Sequence, residues 1–274
     1  MTSAALGRPR GAWAESGRVR AFARDSLAIA ATEVHKLRRD PTEIITRAAQ
    51  PALWLVVFGQ VFNRLRAIPT GDLGYLAFMA PGVLAQSVLF ISIFFGIAVI
   101  WERDLGIVHK LLVSPAPRAA LVVGKGVSAG LRGLAQAVIV YLIALLLGIR
   151  LRFGVGPLIL VGLLVVLSSA LFATFSLAVA CLVKTRERFM GIGQLLTMPL
   201  FFASNAIYPL SVMPTWLRLL ARINPLTYVV DGLRGAMIRG GHSALGLGLD
   251  LAVQAAAVVG LTALAARLYP TLVR

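Results

Sequence analysis

A chain of 274 residues that is 58% apolar and only 14% charged, with a mean hydropathy of +0.85, cannot be an ordinary water-soluble globular protein. Its net charge of +16 first suggests nucleic acid, but Arg and Lys are spread between apolar runs and not gathered on one soluble face. Cys181 stands alone, which excludes an intramolecular disulfide and a cysteine metal cluster.

A bilayer core about 30 Å thick takes roughly 20 apolar helical residues to cross. Runs of that kind recur along the chain, so the composition predicts an all-α polytopic membrane protein with no room for a separate catalytic domain. Residues 1–21 carry Arg8, Pro9, Arg10 and Gly11 but no apolar core of signal-peptide length, and are expected as a disordered cytosolic tail. Residues 22–40 read as an amphipathic helix on the inner membrane surface. Leu27, Ala30, Val34 and Leu37 share one face there, and Arg24, Asp25, Glu33 and Lys36 lie elsewhere around the axis. Asp40-Pro41-Thr42-Glu43 has the form of a helix start, with Asp as cap, Pro in the first turn and Glu three residues on.

From residue 41 to 274 six spans are predicted: Ile44–Phe62, Tyr75–Ile100, Leu121–Leu147, Val155–Val183, Met190–Ile207 and Leu245–Leu268. With the N-terminus inside, thirteen basic residues fall in segments assigned to the cytosol and eight in segments assigned outside, which favours both termini in the cytosol. Between the second and third spans, Trp101-Glu102-Arg103-Asp104 runs on through Leu111-Leu112 and Ser114-Pro115 to Arg118 and Lys125. Such charges form a structured inner elbow in water; charges there would fix partner and register, and Leu111 and Leu112 would offer an apolar anchor. A plain solvated loop is the alternative. Before the last span, Tyr208 to His242 is too polar to span and too apolar to be a free loop. Pro214 and Pro225 interrupt it, Trp216 and Tyr228 suit an interface, and Arg218, Arg222, Asp231 and Arg234 alternate with apolar residues. Two short helices forming an outer re-entrant hairpin are expected.

These two stretches carry a resemblance. Glu102-Arg103-Asp104 with Leu111-Leu112, Ser114-Pro115, Arg118 and Gly124-Lys125 is similar to the cytosolic segment of type-2 ABC exporter permeases. Pro214-Thr215-Trp216 and Asn224-Pro225-Leu226-Thr227-Tyr228 through Asp231 and Arg234 are similar to that family's outer hairpin, most closely in the daunorubicin/doxorubicin resistance subgroup. The resemblance implies a bacterial plasma-membrane subunit that pairs with a second permease copy or a paralogue. It further implies a separate ATP-binding subunit holding ATP and Mg. The elbow residues Glu102, Arg103, Asp104, Leu111, Leu112, Pro115 and Arg118 would be the coupling set. The motor is absent from the sequence itself: the only Gly-Lys pair, Gly124-Lys125, has Ala119 and Gly126 where a phosphate loop needs Gly and Ser or Thr.

No catalytic or metal-binding grouping stands out, which counts against a membrane-embedded lipid-modifying enzyme. Carboxylates and histidines read near the span ends, which counts against an ion-coupled secondary carrier. Arg132 is the exception within a span, either snorkelling inward or lining an inner vestibule. Two stripes of amide and aromatic residues are candidate pathway contacts for an amphipathic solute: Gln86, Phe90 and Phe94 in the second span, and Gln194, Thr197, Phe201 and Asn205 in the fifth. Polar residues also hold spans together, so helix packing is the competing explanation. Gly126 and Gly130 read as a close-packing motif.

Overall fold

The computed structural model describes residues 41–65, 68–71, 73–106, 118–183 and 185–268, without the side chains of 41–45, 47 and 118–125. The tail 1–21, the amphipathic helix 22–40 and Leu111, Leu112 and Pro115 of the elbow lie outside the described residues.

The described chain is helical apart from one isolated antiparallel bridge. Helix α1 (Pro41–Ala52) opens on Pro41, whose missing N–H costs nothing in a first turn. Pro51 inside it removes a ladder hydrogen bond and crowds the preceding turn, and the backbone widens directly afterwards into a π-helical stretch, Leu53–Gly59. Helix α2 (Gln60–Leu65) continues the rod. Helix α3 (Tyr75–Asp104) ends at Leu105 and Gly106, the glycine at φ 72°. Helix α4 runs from Arg118 to Leu146 and is closed by Gly148 at φ 74°, where Ile149 N–H reaches back to Ala144 O at 3.0 Å. Helix α5 (Val155–Leu182) is followed by α6 (Arg186–Phe202), whose first turn is capped by Thr185 Oγ1 accepting from Arg188 N–H. A 3-10 turn at Leu210–Val212 leads into α7 (Thr215–Ile223), α8 (Pro225–Met237) and α9 (Leu247–Leu268).

Helix α3 is the hub. In its most apolar stretch 72% of residues are buried, against 17% in α9, so α3 is packed on all sides and α9 lies at the periphery. Met79, Leu84 and Val88 of α3 share one core with Leu164 and Phe172 of α5, Val140 of α4 and Val230 and Leu233 of α8. Hydrocarbon gives no hydrophobic drive between helices, so close packing of small residues must do that work. Gly126 faces Ala170 and Gly130 faces Val166, so the two glycines do bring α4 against α5. A Cβ at Gly133 would strike Ser169, and one at Gly96 would strike Ser176 and the Phe189 ring. Ser176 also ties α5 to α3, accepting from Gly96 N–H at 3.0 Å and donating to Ile93 O.

Among the described residues four helices are long and apolar enough to cross a membrane: α3, the Gly126–Leu146 part of α4, α5 and α9. The other two expected spans take different forms. The rod from Pro41 to Leu65 is broken by its π stretch, and α6 is only 17 residues long with Pro199 inside it. The fifth apolar run thus leaves the helix at Phe202, five positions short of the expected Ile207, and Ala203 N–H closes the last turn on Pro199 O.

Candidate functional site: a cavity between two polar ends

At one end of the bundle, the elbow residues close on the chain itself. Asp104 Oδ2 accepts from Arg186 Nε at 3.1 Å and Nη2 at 2.7 Å, a bidentate pair, and its Oδ1 accepts from Arg103. Arg103 also donates to Val183 O at 3.3 Å, and the Arg186 guanidinium lies 3.7 Å over the Trp101 ring. The hydrogen bond from Arg186 holds the Asp104 carboxyl below the ordinary carboxylate range, with desolvation opposing it and Arg103 adding to it. The end of α3 is thereby latched to the start of α6. Of the elbow set, Glu102, Arg103 and Asp104 are described in full; Arg118 begins α4, but its side chain lies outside the described residues.

Beyond Asp104, along the flank of α3, lies a cavity of about 370 Å³. Thr46 and Gln50 of α1, Ser87, Phe90, Phe94 and Phe95 of α3, and Arg132 and Gln136 of α4 line it. Phe90 and Phe94 stack with ring centroids 6.4 Å apart. The predicted α3 stripe is therefore brought to the cavity in part: Phe90 and Phe94 line it, but Gln86 is buried in the interior and is not among its lining residues. Of the α6 stripe, Gln194, Thr197 and Phe201 lie on the helix, and Asn205 lies beyond its end. Thr197 and Phe201 are buried in the core, Phe201 edge-on to Trp54 at 5.4 Å, and Gln194, nearer the start of the helix, is exposed. Asn205, past the end of α6, sits in another network altogether. For Asn205 alone, helical spacing assumes a helix that ends at Phe202, where Ala203 N–H closes the last turn.

That other network is the second polar end. Asp231 and Arg234, one turn apart on α8, are almost wholly buried, with Arg234 Nη1 3.6 Å from Asp231 Oδ1. Arg234 Nη2 donates to Asn205 O at 2.7 Å and its guanidinium lies 3.9 Å over the Phe78 ring. Asp231 accepts from Asn205 Nδ2 at 3.3 Å and Leu245 N–H at 2.7 Å. Ser243 Oγ stands 3.0 Å from Asp231 Oδ2 and 2.7 Å from Asp250 Oδ2, and accepts from Gly246 N–H at 2.7 Å. Burial lowers the Arg234 guanidinium to about 10 and the Asp231 charge opposes the shift, so it stays charged at neutral pH.

The two short helices expected before the last span are present, jointed at Asn224-Pro225. Asn224 Oδ1 caps α8 by accepting from Leu226 N–H at 2.9 Å, and its Nδ2 donates to Leu200 O and Ala203 O at 2.6 and 2.9 Å. Pro214 precedes the first residue of α7, and Tyr228 donates to Arg222 O at 2.7 Å across the joint. Trp216, Leu219 and Ile223 stay exposed on one face of α7. The hairpin is also fixed to the α4–α5 turn, since Arg152 N–H donates to Met237 O and Arg239 N–H to Arg150 O, bridging Leu151 and Ile238. The roles of Ser243 and Asp250 were not foreseen; Asp250 read only as a carboxylate near a span end.

Residues 25–238 match the ABC-2 type transporter family. The chain belongs to that family. It is 30% identical over 201 residues to the ycf38 protein of Cyanophora paradoxa, described as a transport permease, covering 73% of this chain and 69% of that one. It is 25% identical over 253 residues, covering 89% of this chain and 87% of the other, to the daunorubicin resistance ABC transporter permease protein DrrB1 of Streptomyces coeruleorubidus. With the inner membrane transport permease YadH of Escherichia coli K12 it shares 26% over 213 residues, 74% of this chain and 79% of the other. This ABC-2 chain is therefore a multi-pass membrane permease subunit of an ABC transporter.

Proposed function

We propose that this permease exports a hydrophobic or amphipathic solute, drug-like or lipid-like, from the cytosol or inner leaflet. ATP and Mg would be held by a separate ATP-binding subunit. The observation that carries this reading is the cavity between α1, α3 and α4, which joins an aromatic wall to polar side chains in a chain of the ABC-2 family. The name of the daunorubicin resistance relative supports an amphipathic cargo.

In this reading all six apolar segments cross the bilayer, the Pro41–Leu65 rod and α6 included, with both termini in the cytosol. At about 1.5 Å per residue the rod is roughly 35 Å long, enough for the hydrocarbon core. Two permease copies, identical or paralogous, would meet beside the cavity. The elbow with Glu102, Arg103, Asp104, Leu111, Leu112, Pro115 and Arg118 would take the stroke of the ATP-binding subunit, and the Asp104–Arg186 latch would pass it from α3 to α6. Hairpin residues Pro214, Trp216, Asn224, Pro225 and Tyr228 would shape the outer exit, with Trp216 at the lipid interface.

The test is reconstitution in proteoliposomes with and without the cognate ATP-binding subunit, following a fluorescent amphiphile. Movement should require both proteins and ATP, and robust movement by the permease alone would overturn the proposal. Co-purification after Glu102→Ala with Arg103→Ala tests the elbow, where an undiminished complex and undiminished transport would remove its coupling role.

A further inference from the structure

The Gly126–Leu146 part of α4 and the whole of α5, Val155–Leu182, are each long and apolar enough to cross a membrane. The turn that joins them therefore stands at the bilayer surface, at the depth of lipid phosphates. There the chain meets the end of the hairpin. Leu151 and Ile238 form the antiparallel bridge and are buried, 3% and 1% exposed. Side chains alternate in direction along extended backbone, so their neighbours Arg150 and Arg239 turn away from the core. Arg239 N–H donates to Arg150 O at 3.0 Å, which sets these two residues opposite each other, and both are exposed. Arg152 adds a third guanidinium, whose Nη2 donates to Gly241 O at 3.1 Å, beside the turn at Gly240 with its φ of 79°.

Side chains directly opposite across such a bridge stand about 4.5–5.5 Å apart at Cβ, and like charges in that position destabilise it. An anion between two guanidiniums turns this repulsion into attraction, and a phosphate oxygen pair matches the fork of each guanidinium. At the surface of a bilayer the abundant phosphate belongs to lipid. The flanks of the turn suit the rest of such a molecule. Leu146, Phe153 and Val155, at the ends of α4 and α5, are 88%, 50% and 75% exposed, an apolar surface on which acyl chains can lie. Phe153 is held there edge-on to Tyr141, with ring centroids 6.2 Å apart.

We propose that Arg150, Arg152 and Arg239 bind the phosphate of an anionic phospholipid, which screens the opposed arginines and clamps the hairpin to the α4–α5 turn. The lipid is a resident structural ligand and not cargo. The site is separate from the cavity along α3, and it requires neither a direction of transport nor a choice of which side the turn faces.

Native mass spectrometry of the permease, released from nanodiscs of equal phosphatidylglycerol and phosphatidylcholine, counts the lipids that stay bound. Phosphatidylglycerol should be retained at least about tenfold over phosphatidylcholine, a difference of about 1.4 kcal/mol. Arg150→Gln with Arg239→Gln should bring that ratio close to one, and Arg222→Gln, at an exposed arginine of α7, should leave it unchanged. No preference in the wild type, or a ratio unmoved by the double variant, overturns the proposal. An equal fall with Arg222→Gln overturns it too, because net charge and not a site would then hold the lipid. Glycerol phosphate, the same head-group chemistry without chains, should not displace the lipid; displacement would make the ligand a soluble phosphate, and the lipid assignment falls. Should the double variant fail to fold, melting temperatures of Arg150→Gln alone carry the test. This variant should match or exceed the wild type in phosphatidylcholine discs, where the opposed charges are unscreened by lipid, and fall below it in phosphatidylglycerol discs. The same order of stability in both lipids overturns the proposal.

Discussion

The two polar ends of this bundle are built from the same residue types, and burial gives them opposite characters. At the hairpin end Asp231 and Arg234 are sealed among Asn205, Phe78, Ser243 and Leu245, with side-chain exposures of 0% and 6%. At the elbow end Asp104 and Arg186 make a shorter and better aligned pair, yet 37% and 31% of their side chains remain in contact with water. A buried pair cannot lose a partner without stranding the other charge, and an exposed one can exchange its partner for solvent or another protein at small expense. The hairpin end is thus a fixed fastening, and the elbow end a latch that can open.

The largest effect expected on that contrast comes from Asp231→Ala, which leaves the Arg234 charge buried without its carboxylate and strands the donors Asn205 Nδ2 and Leu245 N–H. A loss of about 3–5 kcal/mol is expected, read as a collapsed melting temperature or folding yield in detergent. Replacing both, Asp231→Leu with Arg234→Met, should recover much of it; if the double variant is as unstable as the single, the fastening does not work through charge. Next comes Asn224→Ala, which removes the α8 cap and two hydrogen bonds to the end of α6, with a loss of about 2 kcal/mol expected in thermal melts. Asp250→Asn should cost within about 1 kcal/mol. The Ser243 hydroxyl has one proton for two carboxylate oxygens, and an amide at 250 would donate to Ser243 and leave that proton for Asp231. A larger loss there would show that Asp250 works as an ionised group.

The smallest effect on stability belongs to Asp104→Asn, which should leave the melting temperature unchanged while reducing ATP-dependent transport. A lower melting temperature without a transport defect would reverse the distinction between latch and fastening. The sign of its pH dependence follows from its depressed carboxyl. The latch is present above the ordinary carboxylate range and is lost only as pH falls below it, so transport should not change between pH 6 and 8 on its account, a range measured directly in proteoliposomes.

The long apolar runs made α3, α4, α5 and α9 legible to within a few residues, because uninterrupted hydropathy and length speak for themselves. Asn224-Pro225 announced the α7–α8 joint through its own local chemistry. The sites were less legible, because their chemistry depends on contacts distant in sequence. Asp104 and Arg186 are 82 residues apart, and nothing near Glu102-Arg103-Asp104 says that the elbow turns back on its own chain. Asn205 looked like a pathway residue because regular periodicity was extended through a helix end that Pro199 and Ala203 N–H impose. Arg132 stood out as a charge in an apolar run, but only the position of Phe95 shows that it faces a cavity.

The antiparallel bridge between Leu151 and Ile238 bears on biogenesis. Its two strands are separated in the chain by α5, α6 and the whole hairpin, so the pairing can close only after all of that polypeptide has left the ribosome. Until then Arg150 O and Met237 O, acceptors in the finished bridge, must stay hydrated. The turn after α4 therefore cannot be sealed until the hairpin helices have been made.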